Sequence, residues 1–196
     1  MKGVFDIFSG VIKLFFEIKI LFWAIGYFGW QIATLYALYV SYHHSYEYCF
    51  LFFILFAFSG WLNHNLLKNT IHDLRPANPI PFLDSDEFMK RTNGMPSGHA
   101  QQTAFALTVA YKITNKYLYE SMALLILTVV QRYVYRNHTI PQLIAGSVLG
   151  FILGHIGVFI MDYIEKHQFE YLHKGSELLN NSKKIDSMDS VVAIDH

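Results

Sequence analysis

The chain has 196 residues, of which 53% are hydrophobic, 17% aromatic and 15% charged, and its 15 basic residues balance 15 acidic ones. A charged share well under the roughly 25% of soluble domains points to a membrane, and zero net charge without a Lys/Arg block excludes a strongly basic nucleic-acid binder. A single cysteine, Cys49, excludes an internal disulfide framework and a cysteine zinc cluster, and the length allows one domain.

Residues 1–19 place Lys2, Asp6, Ser9, Lys13 and Glu17 every three or four positions among Val4, Phe5, Phe8, Val11, Ile12, Phe15 and Phe16. That spacing predicts an amphipathic helix lying in the membrane interface, and without a small-residue cleavage site the segment is expected to be retained. No Lys, Arg, Asp or Glu occurs between Lys19 and Glu47. Residues 20–42 therefore predict a first span able to cross roughly 30 Å of hydrocarbon. Residues 48–67 are a second charge-free run, and residues 100–111, extended back to Ser97, a third. Residues 117–133 make a shorter fourth that carries Glu120. Residues 140–161 make a fifth, rich in the small residues Ala145, Gly146, Ser147, Gly150, Gly154 and Gly157, which let membrane helices approach closely. Residues 167–196, with the run NNSKKIDSMDS, read as a polar, mostly disordered tail. The expected architecture is all-α: an integral-membrane bundle of about five transmembrane helices over residues 20–166, preceded by the interfacial helix. Interior helices of a soluble all-α protein rarely run so far without a charge.

Three polar clusters interrupt the pattern at span ends: KNTIHDLRP from Lys68, GMPSGHAQ from Gly94, and QRYVYRNHTIPQ from Gln131. Because each span reverses the chain, all three fall on one membrane face. Lys68 and Arg75, seven apart, share a helix face if the turn continues that far, and Arg132 adds a third cation. Three fixed cations suit a phosphate, arginine offering a planar fork for its oxygens. Pro96-Ser97-Gly98-His99 has the form of a helix start: Ser97 as N-cap, Gly98 for close backbone approach, free N–H groups for an anion. His99 and His138 flank that anion site and can divide the work of nucleophile and general acid. His138 and Gln142, four apart at a helix start, can touch.

The pattern K-x6-RP, PSGH and R-x5-H-x3-Q, from Lys68 to Gln142, resembles the three-part signature of the type-2 phosphatidic acid phosphatase family, whose membrane members hydrolyse lipid phosphates and diphosphates without a metal. The strings NHNLLKNTIHDLRP, GMPSGHAQQ and YVYRNHTIPQ are most similar to dolichyl-diphosphate phosphatases. The resemblance implies that His138 attacks phosphorus to form a phosphohistidine and that His99 protonates the leaving group. It further implies that Lys68, Arg75, Arg132, Ser97 and the Gly98 backbone hold the phosphoryl oxygens. It implies no cofactor and no metal, a lipid phosphate or diphosphate (dolichyl or polyprenyl diphosphate first) and the bilayer as partners, and an endoplasmic-reticulum membrane with a lumenal site.

Two positions depart from the family. Gln131 stands where many members have Ser, and Gln142 where most have Asp. Gln142 can still accept from His138 Nδ1–H and fix the tautomer, but a neutral amide cannot stabilise an imidazolium as a carboxylate would. On that reading Gln142→Asp should keep or raise the rate. Other readings stand beside this one. Phosphatidic acid or another lipid monophosphate is an alternative substrate, and a non-catalytic lipid-headgroup-binding membrane protein an alternative class. A vanadium haloperoxidase shares the signature but is soluble. Arg91 and Arg136 read as interfacial anchors, and Asp73 as a charge-balancing neighbour rather than a base. His43, His44, His64 and His72 lack the acidic pair of a metal site and read as polar loop residues. Lys and Arg are nearly balanced between the two faces, so orientation rests on the resemblance.

Overall fold

The computed structural model describes residues 19–80 and 93–192, with side chains to residue 168. The expected interfacial helix thus lies outside the described residues, apart from Lys19, as does Arg91. All regular structure among the described residues is helical. The chain divides into two compact units, Met1–Val158 and Phe159–His196.

Helix α1, Lys19–Tyr27, and helix α2, Gly29–His44, occupy the first predicted span but meet at a 60° bend. The bend brings backbone onto the fifth helix. A Cβ on Gly26 would lie 2.7 Å from Gln131 Cβ, and one on Gly29 would strike the Thr128 side chain, so both positions exclude a side chain. Helix α3, Tyr46–Trp61, starts where Ser45 turns extended and its Oγ accepts from Tyr48 N–H at 3.1 Å, with Glu47 in the first turn. It runs on through a π-helical turn, Leu62–Leu67, to Lys68–Thr70.

Helix α4, Gly98–Thr114, is the central rod, buried at Ala100, Gln101 and every position from Thr103 to Ala110. It ends where Asn115 takes the left-handed conformation (φ 52°), a C-terminal stop asparagine tolerates. Helix α5 spans Leu118–Val134, and helix α6 runs from Ile140 to Val192. Gly146, Gly150 and Gly154, one turn apart on α6, lie so close to α4 that added Cβ atoms would collide with Ser97 backbone, Gln101 O and the Thr108 side chain. The small-residue stripe seen in the sequence is this contact.

Helices therefore stand at all five predicted spans, but they are not equally long. Tyr46–Thr70 and Ile140–Gln168 are long and apolar enough to cross a membrane, and the bent α1–α2 pair makes a third if taken as one span. At 17 residues each, α4 and α5 measure only about 25 Å. Polarity is reversed from that of a soluble protein. Leu35, Phe50, Phe53, Ile144 and Phe151 face outward, while Gln101, Gln131, Arg132, His138 and Gln142 are buried. The C-terminal segment also differs from expectation: the backbone stays helical through Val192, because no proline follows Pro141 and Gly175 is the one glycine after Gly157.

Gly150→Val should destabilise the protein by about 1–3 kcal/mol by forcing α6 off α4. The check is the unfolding midpoint in detergent; an unchanged midpoint would contradict the close helix contact.

Candidate functional site

The site is built where α3 and α5 end and α4 and α6 begin, near the strap of residues 71–80. The π-turn closes with the Lys68 N–H bonded to Asn63 O, a one-residue widening of the kind often found at functional sites. It leaves Lys68 buried, and Asn93 Nδ2–H donates to the Lys68 carbonyl at 2.7 Å. The helix stops at Thr70 and Ile71 is extended. Lys68 and Arg75 therefore do not share a helix face, contrary to the sequence expectation; Arg75 reaches the site on the strap. Its Nη1–H groups face the Asn137 carbonyl at 3.2 Å and His138 Nε2 at 3.4 Å.

Arg132, on the last turn of α5, is 1% exposed. Its guanidinium lies 5.6 Å from the Tyr27 ring centroid. The Asn137 amide, with its oxygen toward Arg132, accepts from Nη1 and Nη2 at 3.2 Å each and donates to Tyr135 O at 3.3 Å. Arg136 turns the chain between α5 and α6 at φ 53° and is exposed, compatible with its reading as an anchor.

Helix α6 opens with a reciprocal cap. Thr139 N–H donates to Gln142 Oε1 at 3.1 Å, and Gln142 N–H to Thr139 Oγ1 at 3.5 Å. The other end of the Gln142 amide donates to Leu74 O at 2.9 Å and to Asp73 Oδ2 at 2.7 Å. A backbone N–H can only donate and a carbonyl can only accept, so the amide has one orientation. Its oxygen lies 3.1 Å from His138 Nδ1, which must then carry the proton. His138 Nε2 is left with its lone pair, facing the Arg75 guanidinium. Burial pushes the His138 imidazole well below its usual value, and Arg75, Arg132 and Lys68 push it the same way, against a smaller upward pull from Gln142. The ring is neutral at pH 7.

The same three cations face His99, whose ring packs against Tyr27 and Trp30 with centroids 5.8 and 6.1 Å away. Ser97 occupies the N-cap position of α4, but its hydroxyl makes no cap bond; it is fully buried and has no partner among the described residues. Leaving such a group unpaired costs about 1–3 kcal/mol. A Cβ on Gly98 would meet only Asn63 Oδ1, at 3.8 Å, so the backbone there borders open space. That space is a cavity of about 240 Å³ lined by Lys68, Gly98, His99, Asn63, His64 and Trp30 among others. A second cavity, of about 600 Å³, reaches His138 from the side of Pro76, Arg136 and Pro141.

All eight residues singled out in the sequence thus gather in one region of the first unit. Sequence reasoning missed four supporting roles. Tyr27 and Trp30 carry no motif; the Asn63 amide donates to Pro96 O at 3.4 Å and also bonds Gln101 Oε1; Asp73 holds Gln142. The cap, Thr139-x-x-Gln142, was legible as a helix-start signature. Neither amide atom of Gln131 has a partner among the described residues. No set of three His, Cys, Asp or Glu side chains is gathered among them as for a metal ion.

No curated protein matches the sequence. The fold is similar to the crystal structure of a transmembrane PAP2-type phosphatidylglycerolphosphate phosphatase from Bacillus subtilis, with a TM-score of 0.57 and 17% identity over 76% of this chain and 78% of that one. The sequence model of the PAP2 superfamily matches residues 47–166, which is more than half of the chain and includes all eight residues singled out in the sequence, and the protein belongs to that superfamily.

Proposed function

We propose that the protein is an integral-membrane phosphatase that hydrolyses a lipid phosphate or diphosphate without a metal, through a phosphohistidine on His138. The observation that carries this reading is the His138 ring itself. It is buried and neutral, its Nδ1 proton is held by a fixed amide, and its Nε2 lone pair faces the Arg75 guanidinium, with Arg132 and Lys68 near enough for their charges to act on the ring. That is the form a nitrogen nucleophile needs, beside the charges that a phosphate needs.

In the first step the Nε2 lone pair forms a bond to phosphorus while the bond from phosphorus to the leaving oxygen breaks. His99, which takes up a proton once the negative charge of the bound phosphate offsets the three cations, gives that proton to the leaving oxygen. Lys68, Arg75, Arg132, the orphan Ser97 hydroxyl and the Gly98 N–H hold the equatorial oxygens, where charge builds. In the second step water attacks phosphorus, His99 takes its proton, and the P–N bond breaks to return His138 and release phosphate.

The sequence resemblance favours dolichyl or polyprenyl diphosphate as substrate. The structural neighbour acts on phosphatidylglycerolphosphate, which favours a lipid monophosphate instead. Helices at all five predicted positions and an apolar outer surface support a five-span bundle. The lumenal side of an endoplasmic-reticulum membrane is the location we propose with the dolichyl reading.

Purified protein in excess EDTA should release phosphate from at least one of dolichyl diphosphate, phosphatidic acid and phosphatidylglycerolphosphate. His138→Ala should lower that rate by about a thousandfold or more. No release from any of the three would leave a lipid-headgroup-binding protein as the better account. The pH dependence adds a second check. Because His138 must be neutral to attack and its titration is pushed below the usual value of about 6.5, the acid limb of kcat/KM should lie below pH 6.5. Removing one cation, as in Arg75→Gln, should move that limb upward while lowering the rate. A native limb at or above pH 6.5 would contradict the neutral buried nucleophile.

A further inference from the structure

When Nε2 of His138 bonds to phosphorus, the imidazole becomes a cation, with Lys68, Arg75 and Arg132 already around it. A neutral amide at Gln142 offers only a dipole against that charge. Behind the amide, however, stands a carboxylate. Gln142 Nε2–H donates to Asp73 Oδ2 at 2.7 Å, while Oε1 of the same amide faces His138 Nδ1 at 3.1 Å.

The amide in the middle of this chain of bonds is not free to turn. It is locked by Thr139 N–H on its oxygen and Leu74 O on its nitrogen. The Asp73 backbone is held in place beside it, donating to Ile71 O at 2.8 Å and accepting from Gly94 N–H at 2.7 Å. Gly94 also lies flat against the amide: a Cβ there would collide with Gln142 Oε1, Nε2 and Cδ. Hydrogen bonds in such a chain polarise one another, and a bond to an ionised acceptor is the strong kind.

We propose that Asp73 is a positioning residue for the His138 reaction, its carboxylate acting through the Gln142 amide to stabilise the imidazolium formed on attack. The inference rests on the phosphatase reading above. It assigns to a carboxylate one bond further away the charge that most of the family supplies at position 142. It also reverses the sequence-based expectation for Gln142→Asp. An acidic side chain at 142 would be turned toward Asp73 Oδ2 and the Leu74 carbonyl, oxygen against oxygen.

The groups that face His138 are Lys68 at the end of α3, Arg75 on the strap, Arg132 on α5 and Gln142 on α6, with Asp73 behind the last. Asp73→Asn keeps an oxygen that can accept from Gln142 but removes the charge. It should lower kcat about 10- to 100-fold with KM within about twofold, and lower the pH at which His138 titrates in nitrogen-15 spectra of histidine-labelled protein. Adding Gln142→Glu to Asp73→Asn should recover at least about tenfold of that loss, because a carboxylate then meets Nδ1–H directly. In the native background the same Gln142→Glu should lower activity. A native-like kcat in Asp73→Asn, an unmoved His138 titration, or a Gln142→Glu effect of one sign in both backgrounds would each overturn the proposal. Should Asp73→Asn fail to fold, Gln142→Glu alone decides, since equal or raised activity contradicts a charged Asp73 facing position 142. Absence of phosphate release by the native protein would instead refute the phosphatase reading, while the His138 titration would still test the link to Asp73.

Discussion

The side-chain amide of Gln142 makes four hydrogen bonds in a buried site, two at its oxygen and two at its nitrogen, and much else follows from that saturation. Through its oxygen it caps α6 and fixes the tautomer of His138. Through its nitrogen it ties down the strap that carries Arg75. Gly94 exists as glycine because the amide lies against its backbone. An unsatisfied buried amide would be costly, so the bonds to all four partners favour one arrangement of the segments that carry them. His138 is therefore oriented by parts of the chain that are far apart in sequence: the α6 start, the strap after α3 and the segment before α4.

A polar interior of this kind needs an unusual core. The outside of the bundle is apolar, so burial of large side chains does little to hold the helices together if the surroundings are lipid. Close approach does that work instead. Gly146, Gly150 and Gly154 of α6 rest on the backbone of α4, and Gly26 and Gly29 let the bent α1–α2 segment rest on α5. Buried polar side chains add cross-helix bonds, as where Gln101 Nε2–H donates to Ser59 O and Oγ at 2.9 Å each. Ser97, Gly98 and His99 stand at the start of the central helix α4, so the contacts that fix the bundle also fix this part of the candidate site.

Much of this was legible in the sequence, and for identifiable reasons. Long apolar, charge-free runs locate helices well, because charges are costly in a membrane and interior helices of soluble proteins rarely run so far without one. The small-residue stripe of α6 was visible for the same reason. The eight candidate site residues stood out because phosphate chemistry calls for particular residue types at motif spacing. What escaped depends on geometry that spacing does not encode. The bend at Phe28 comes from packing of Gly26 and Gly29 on α5, and the charge-free run gives no sign of it. Helical periodicity put Lys68 and Arg75 on one face, but Ile71 leaves the helix first. Asp73 read as a charge-balancing neighbour because its partner, Gln142, is remote in sequence. Tyr27 and Trp30, on either side of the bend, both pack on His99, a contact between residues remote in sequence.

The central claim is that His138 forms the covalent bond to phosphorus, and the most direct measurement is a rapid acid-free quench of the protein with lipid labelled in its terminal phosphate. The account predicts a protein-bound label that is stable in alkali, lost in acid, located at residue 138 and absent from His138→Ala. Phosphate release at the native rate with no labelled protein, or a label on another residue, would contradict it.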